Sequence, residues 1–155
     1  MKSRIEKLIF QLDTVVKGTP YYGDSINSII DQLTFEHANN AIEDGHSIAQ
    51  ILKHMQAWRL YAIEHLKGND HYDLELGSDK DWSKLIVNSP SEWKALKEEF
   101  KESHERLTGL LKRKDNSWLS IKMPGKEFSY NFMLKGIMQH DLYHIGQVNL
   151  LKNIK

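Results

Sequence analysis

Apolar residues recur along four long stretches of the chain with the three- and four-residue spacing of an amphipathic α-helix. These stretches cover residues 3–17, 47–66, 89–113 and 129–153. The first three each begin with a serine that is followed three residues later by a glutamate or glutamine, the capping-box pattern of helix starts. A shorter apolar pattern over residues 24–33 predicts one more short helix. With little strand signal anywhere, the pattern favours an all-α fold, a four-helix bundle with long connections.

The connections are long for a bundle, where helix links usually run about two to eight residues. Residues 68–88 form a polar link between the second and third long stretches. A link of this length can cross over the end of a bundle, so the two helices that it joins need not be antiparallel. The sequence has no internal repeat and no low-complexity tract, and we expect a single domain over residues 1–155.

Composition and charge exclude several classes of function. The 155 residues include no cysteine, which removes disulfides, thiolate metal sites and a protein thiol nucleophile. Lys plus Arg and Asp plus Glu both number 21, so the charge gives no case for a nucleic-acid partner. No apolar run approaches the roughly 18 residues of a membrane span, and the N-terminus lacks a signal-peptide core. We therefore expect no membrane partner and a cytoplasmic location.

The last long stretch carries a histidine pair, His140 and His144, whose spacing puts both imidazoles on one face of a helix. That face is the apolar one, so the rings point towards the core and need a partner there, for which a metal ion is the simplest choice. Metal sites that do chemistry usually take three protein ligands and keep one position open. The best third ligand is His54, beside the apolar stripe of the second long stretch. Three imidazoles suit a divalent ion such as zinc or nickel. The alternative is a set of ordinary core histidines.

Other polar residues near this face are weaker candidates. Gln147 and Tyr143 are candidates to contact a substrate or a coordinated water, and Trp58 and Tyr143 are candidates to wall a pocket. Asp141 is a candidate to orient a histidine ring as a hydrogen-bond acceptor. The remaining histidines are expected at the surface or at a helix end: His37, His46, His65, His71 and His104.

Three short stretches carry a family likeness. Residues 140–147 have the sequence HDLYHIGQ, residues 22–25 have YGDS, and residues 54–59 have HMQAWR. Together they resemble the DinB superfamily, in particular its YfiT-like branch. The resemblance implies a DinB-type four-helix bundle that associates as a homodimer. It also implies a divalent metal held by three histidines, which map onto His54, His140 and His144.

The resemblance implies several activities. Some members of that superfamily are S-transferases that use bacillithiol, mycothiol or glutathione, and one group isomerises maleylpyruvate with a thiol cofactor. Others are assigned only as metal-dependent hydrolases. We therefore expect a metal-dependent enzyme that acts on a small-molecule substrate, with a low-molecular-weight thiol of the bacillithiol type as cosubstrate, since the chain has no thiol of its own. The alternatives are a metal-dependent hydrolase, for which the sequence identifies no general base, and a non-catalytic binding module in which the ion staples two helices.

Overall fold

The computed structural model describes residues 3–154, and their regular secondary structure is helical. Its five α-helices are α1 (Arg4–Lys17), α2 (Ile26–Asp31), α3 (Ile48–Leu66), α4 (Pro90–Leu111) and α5 (Tyr130–Leu151). Within residues 3–154 the only β-pairing is an isolated bridge between Lys122 and Ser129. None of the helices in this range has the length and apolarity needed to cross a membrane. The all-α prediction is confirmed; residues 1, 2 and 155 of the expected domain lie outside the described range.

Serine side chains cap the starts of all five helices, because each hydroxyl accepts a backbone N–H that has no partner within the first turn. Ser3 and Ser47 form reciprocal capping boxes at the starts of α1 and α3. Ser89 caps α4, with Pro90 at its first position, and Ser129 caps α5. These local signals explain why the predicted helix starts agree with the observed ones.

The four long helices surround two apolar clusters that lie one above the other along the bundle. α3 packs against α4 and α5, and α1 packs against the same two helices from the opposite side. One cluster joins the first halves of α3 and α4 to the last turns of α1 and α5. The other joins the opposite halves of the same four helices. Consequently α3 and α4 run in the same direction, and residues 67–89 cross the length of the bundle, an arrangement that the length of this link allows.

A buried ion pair lies where the two clusters meet. Arg59 of α3 has no exposed surface, and its Nε and Nη2 atoms both lie 2.8 Å from Oδ2 of Asp141 on α5. Its Nη1 donates to the carbonyl of Phe100 and to the hydroxyl of Ser103, both on α4. Burial raises the pKa of the Asp141 carboxyl, and the adjacent guanidinium opposes that rise. The pair therefore links α3, α4 and α5 at one level of the bundle.

One histidine expected at the surface is buried instead. His104 is 1% exposed, and its Nε2 lies 2.7 Å from a carboxylate oxygen of Asp13. The prediction is wrong because it rested on the charges that flank His104 along α4. Those charges do not reveal that α1 covers this side of the helix and brings its own carboxylate.

We predict that Asp141→Ala destabilises the fold by about 3–5 kcal/mol, because it leaves the buried Arg59 guanidinium without a counter-charge. Urea unfolding followed by far-ultraviolet circular dichroism measures the change. The double variant Arg59→Met/Asp141→Leu is the control: it removes both charges and should lose less stability than Asp141→Ala alone. Equal stability of Asp141→Ala and the wild type would contradict the role given to the pair.

Candidate metal centre

Three imidazoles from two helices converge in the middle of the bundle. His54 comes from α3, whereas His140 and His144 lie one turn apart on α5, and one potential ligand atom of each lies within 4.8 Å of the others. The Nε2 atoms of His54 and His140 are 2.9 Å apart. Nitrogen ligands bound to one cation at about 2.1 Å stand roughly 3.0–3.4 Å from each other, which is close to this separation. The cluster could therefore hold a divalent ion.

Hydrogen bonds orient two of the rings. Nδ1 of His144 lies 2.6 Å from the side-chain carbonyl oxygen of Gln147, and Nδ1 of His54 lies 2.9 Å from the backbone carbonyl of Asp81. A carbonyl oxygen only accepts, so both Nδ1 atoms carry the proton and both Nε2 atoms keep a lone pair. Nδ1 of His140 is buried without a hydrogen-bond partner in the described chain. This pattern fits metal binding through Nε2 for His54 and His144.

Burial keeps the three imidazoles neutral. It lowers the pKa of His54 and of His144, and it is the largest cause of the fall in the pKa of His140 to about 3. The neighbouring imidazoles add to the fall at His140, because a second positive charge beside a first is unfavourable. A neutral imidazole is the form that binds a metal, so no proton has to be removed at neutral pH.

Asp81, in the link between α3 and α4, fixes this link against the site. Asp81 is only 2% exposed. Its carboxylate accepts hydrogen bonds from Nε1 of Trp58 at 2.9 Å and from the backbone N–H of Gly77 at 2.8 Å. One carboxylate oxygen also lies 2.9 Å from Nδ1 of His54. Asp81 thus holds the His54 ring through its backbone and its side chain, the arrangement that supports metal-binding histidines in many proteins.

A stack of three rings extends from the cluster to the surface. Trp82 lies parallel to His54 on one face and to His46 on the other, with ring centroids 3.7 Å apart in both pairs. His46 is exposed, as expected from its position in the loop before α3. Neither Asp81 nor Trp82 was predicted from the sequence, because residues 68–88 have the pattern of a polar link and no periodicity that marks a site. A tryptophan within such a link was the available signal, since a large apolar ring there needs a place to pack.

The other candidates from the sequence lie close to the cluster, in different roles. Gln147 is half-buried and contacts His144, so its carbonyl orients a ring, while its amide lies 3.5 Å from the Tyr143 hydroxyl. Tyr143 is 65% exposed. The prediction that Asp141 orients a histidine is wrong, because its carboxylate faces Arg59. Asp81 fills that role instead.

Two cavities reach the cluster from different sides. One, of about 600 Å³, is lined by Trp58 and His140, and we call it the Trp58 cavity. The other, of about 550 Å³, is lined by His46, Trp82 and His144, and we call it the His46 cavity. Both volumes lie in the range of small-molecule sites, roughly 300–1,000 Å³. Small molecules can therefore approach the three imidazoles along two routes.

A family model described as the DinB superfamily matches residues 24–148, which include the three clustered histidines and Asp81. No curated protein and no solved structure gives a significant match to the chain.

We predict that His140→Ala abolishes stoichiometric binding of Zn²⁺, because the two remaining imidazoles make a weak site. Isothermal titration calorimetry measures the stoichiometry and affinity. His71→Ala, which removes an exposed histidine outside the cluster, should bind zinc like the wild type. Unchanged zinc binding by His140→Ala would reject the site.

We predict that Asp81→Ala weakens zinc binding by about 10- to 100-fold, the usual cost of losing a group that orients a metal ligand. The matched control is Asp79→Ala in the same link, whose exposed carboxylate pairs with the exposed Lys84. Competition with a chromophoric chelator measures both affinities. If the two variants bound zinc equally well, Asp81 would have no part in positioning His54.

Proposed function

Since the chain belongs to the DinB superfamily, we propose that it is a metal-dependent enzyme that transfers a low-molecular-weight thiol to a small electrophilic substrate. The observation that carries the proposal is the open side of the histidine cluster. Three imidazoles converge, two of them oriented by hydrogen bonds, and no carboxylate or fourth histidine joins their group within residues 3–154. Two cavities reach the group. A purely structural site would normally be closed by a fourth protein ligand.

The metal would contribute by activating the nucleophile, whether this is a thiol or water. His54, His140 and His144 would hold a divalent ion, with zinc or nickel as the proposed ions, and such an ion would lower the pKa of a bound thiol or water and so supply a nucleophile at neutral pH. The protein's own contribution is to keep the three rings neutral through burial and to orient His54 and His144 through Asp81 and Gln147. Preset orientation matters because small misplacements of reacting groups have large effects on rate.

The absence of cysteine favours a cosubstrate thiol. With no thiol in its 155 residues, the protein cannot supply the sulfur nucleophile itself. In the proposed reaction the thiol sulfur forms a bond to carbon of the electrophile, the bond to the leaving group breaks, and the thiol proton is released. His46 lines the same cavity as His144, which supports assigning its exposed imidazole as the acceptor of that proton.

Metal-dependent hydrolysis is the second candidate function, and the position of His46 in the cavity favours it too. The sequence alone identifies no general base. In the His46 cavity, however, an imidazole can act as a general base for a water nucleophile as well as for a thiol. A non-catalytic role, in which the ion only staples α3 to α5, is the third. The YfiT-like branch and the homodimer that the resemblance implies stay predictions.

We predict that a small thiol binds directly at the metal. The protein is loaded with Co²⁺ and titrated with 2-mercaptoethanol, and a thiolate-to-cobalt charge-transfer band should appear in the near ultraviolet and saturate. Because the chain contains no cysteine, the band can arise only from the added thiol. Ethylene glycol, which has oxygen in place of the sulfur, is the control and should give no band. His140→Ala should give none either.

A cobalt-loaded protein that shows no band at high thiol concentration would contradict the thiol proposal. Metal-dependent cleavage of an activated ester such as 4-nitrophenyl acetate would then favour the hydrolase. If there were also no cleavage, and metal removal lowered the melting temperature, the ion would be a staple.

A further inference from the structure

The Trp58 cavity has walls that are almost wholly apolar. Side chains from α3, α5 and the links on either side of α4 form its walls, and aromatic rings contribute much of the surface. The residues that define it are Trp58, Leu74, Leu76, Phe128, Phe132 and Ile137. Such walls recognise a ligand by burying its apolar surface, since they offer few groups for hydrogen bonds.

The polar groups that line this cavity are the Tyr61 hydroxyl, the His140 imidazole and three charged side chains. His140 lines it as part of the histidine cluster, with its ring centroid 5.9 Å from that of Trp58. The charged side chains Asp73, Glu75 and Lys126 also line it and are exposed, which places them at the mouth. A ligand that fits this distribution is apolar over most of its length and is uncharged where it passes between the walls, because an unpaired charge there would be desolvated.

Two large apolar side chains of the cavity remain in contact with solvent. Leu76 is 78% exposed and Phe132 is 64% exposed. An exposed apolar patch beside a cavity commonly marks a binding site, because a ligand would remove that surface from water.

A glycine keeps the cavity open. Gly136 lies inside α5, two turns from its start, where glycine disfavours a helix, and it lines the Trp58 cavity. A Cβ atom built on Gly136 meets no atom within 4 Å, so the backbone does not require glycine for steric reasons. The space that a side chain would fill is the cavity itself.

The His46 cavity has a different character. Beside apolar residues it is lined by His46, Gln147 and Tyr143, which offer an imidazole, an amide and a hydroxyl. The two cavities meet the cluster at different histidines, His140 and His144. Two separate approaches to one centre suit a reaction between an apolar and a polar reactant, because each molecule meets walls of its own character.

We propose that the Trp58 cavity is the binding site of an uncharged, largely apolar substrate that presents its reactive atom at His140, while the polar cosubstrate occupies the His46 cavity. The assignment rests on the proposed function for the identity of the second reactant. Membership of the DinB superfamily leaves the substrate open, and the proposal specifies its chemical class.

The test uses the uncharged fluorophore N-phenyl-1-naphthylamine, whose emission rises in apolar surroundings, with the zinc-loaded full chain. The wild type should bind it saturably. Gly136→Leu should weaken binding by about tenfold or more, because a leucine side chain fills the cavity. The matched control is Gly146→Leu on the same helix, where an added Cβ also meets no atom and the position lies outside the cavity; it should bind like the wild type.

A second pair of variants avoids the bundle helices. Leu76→Asp adds a charge to an exposed wall of the cavity and should weaken binding of the fluorophore. Ile86→Asp, at an exposed position of the same link outside the cavity, should not. Wild-type affinity in both Gly136→Leu and Leu76→Asp would overturn the assignment.

A separate experiment tests whether the bound fluorophore lies close to the histidine cluster. Co²⁺ absorbs visible light and Zn²⁺ does not, so energy transfer should quench the bound fluorophore in the cobalt-loaded protein alone. Equal emission with the two ions would place the fluorophore away from His140 and overturn the proposal.

The metal site of the cavity variant is checked as well: Gly136→Leu should keep its zinc stoichiometry and its cobalt–thiol band. If the wild type showed no cobalt–thiol band but bound the fluorophore, and Gly136→Leu did not bind it, the two proposals would separate. The thiol transfer would be rejected, and the apolar substrate site would stand.

Discussion

The pairing of Arg59 with Asp141 is the constraint on which the site depends. A guanidinium with no exposed surface must keep its counter-charge, because an unpaired buried charge costs several kcal/mol. Asp141 directly follows His140, and Arg59 lies five residues after His54. Any sliding or rotation of α3 against α5 that separated the three imidazoles would also break this pair. The ion pair therefore fixes the register in which the histidines meet, although it contacts no ligand itself.

Much of the fold is predictable because its signals are local. Ser3 and Ser47 mark helix starts through bonds to residues three positions away, and a three- and four-residue apolar period identifies the buried faces. The direction of α4 relative to α3 is not local in this sense. The length of residues 67–89 permits a parallel arrangement, but only packing of whole helices selects it.

The site is predictable to the extent that helical spacing expresses it. His140 and His144 share a face by spacing alone, whereas His54 joins them through packing of two helices. Asp81 follows His54 by 27 positions and contacts it from an irregular link, so no periodicity predicts that contact. Asp141 was assigned to the wrong partner because periodicity gives the face of a residue only approximately. Whether it meets a histidine or an arginine depends on the neighbouring helix.

The docking of the link between α3 and α4 restricts how this chain can vary in length. Its stretch from Gly77 to Trp82 is tied at both ends, by the bond from the Gly77 amide to Asp81 and by the stacking of Trp82 on His54. The residues before Gly77 and after Trp82 have no such attachment to the cluster among the described contacts. Natural insertions and deletions should therefore accumulate on either side of this six-residue stretch, and its internal length should stay constant even where its sequence drifts.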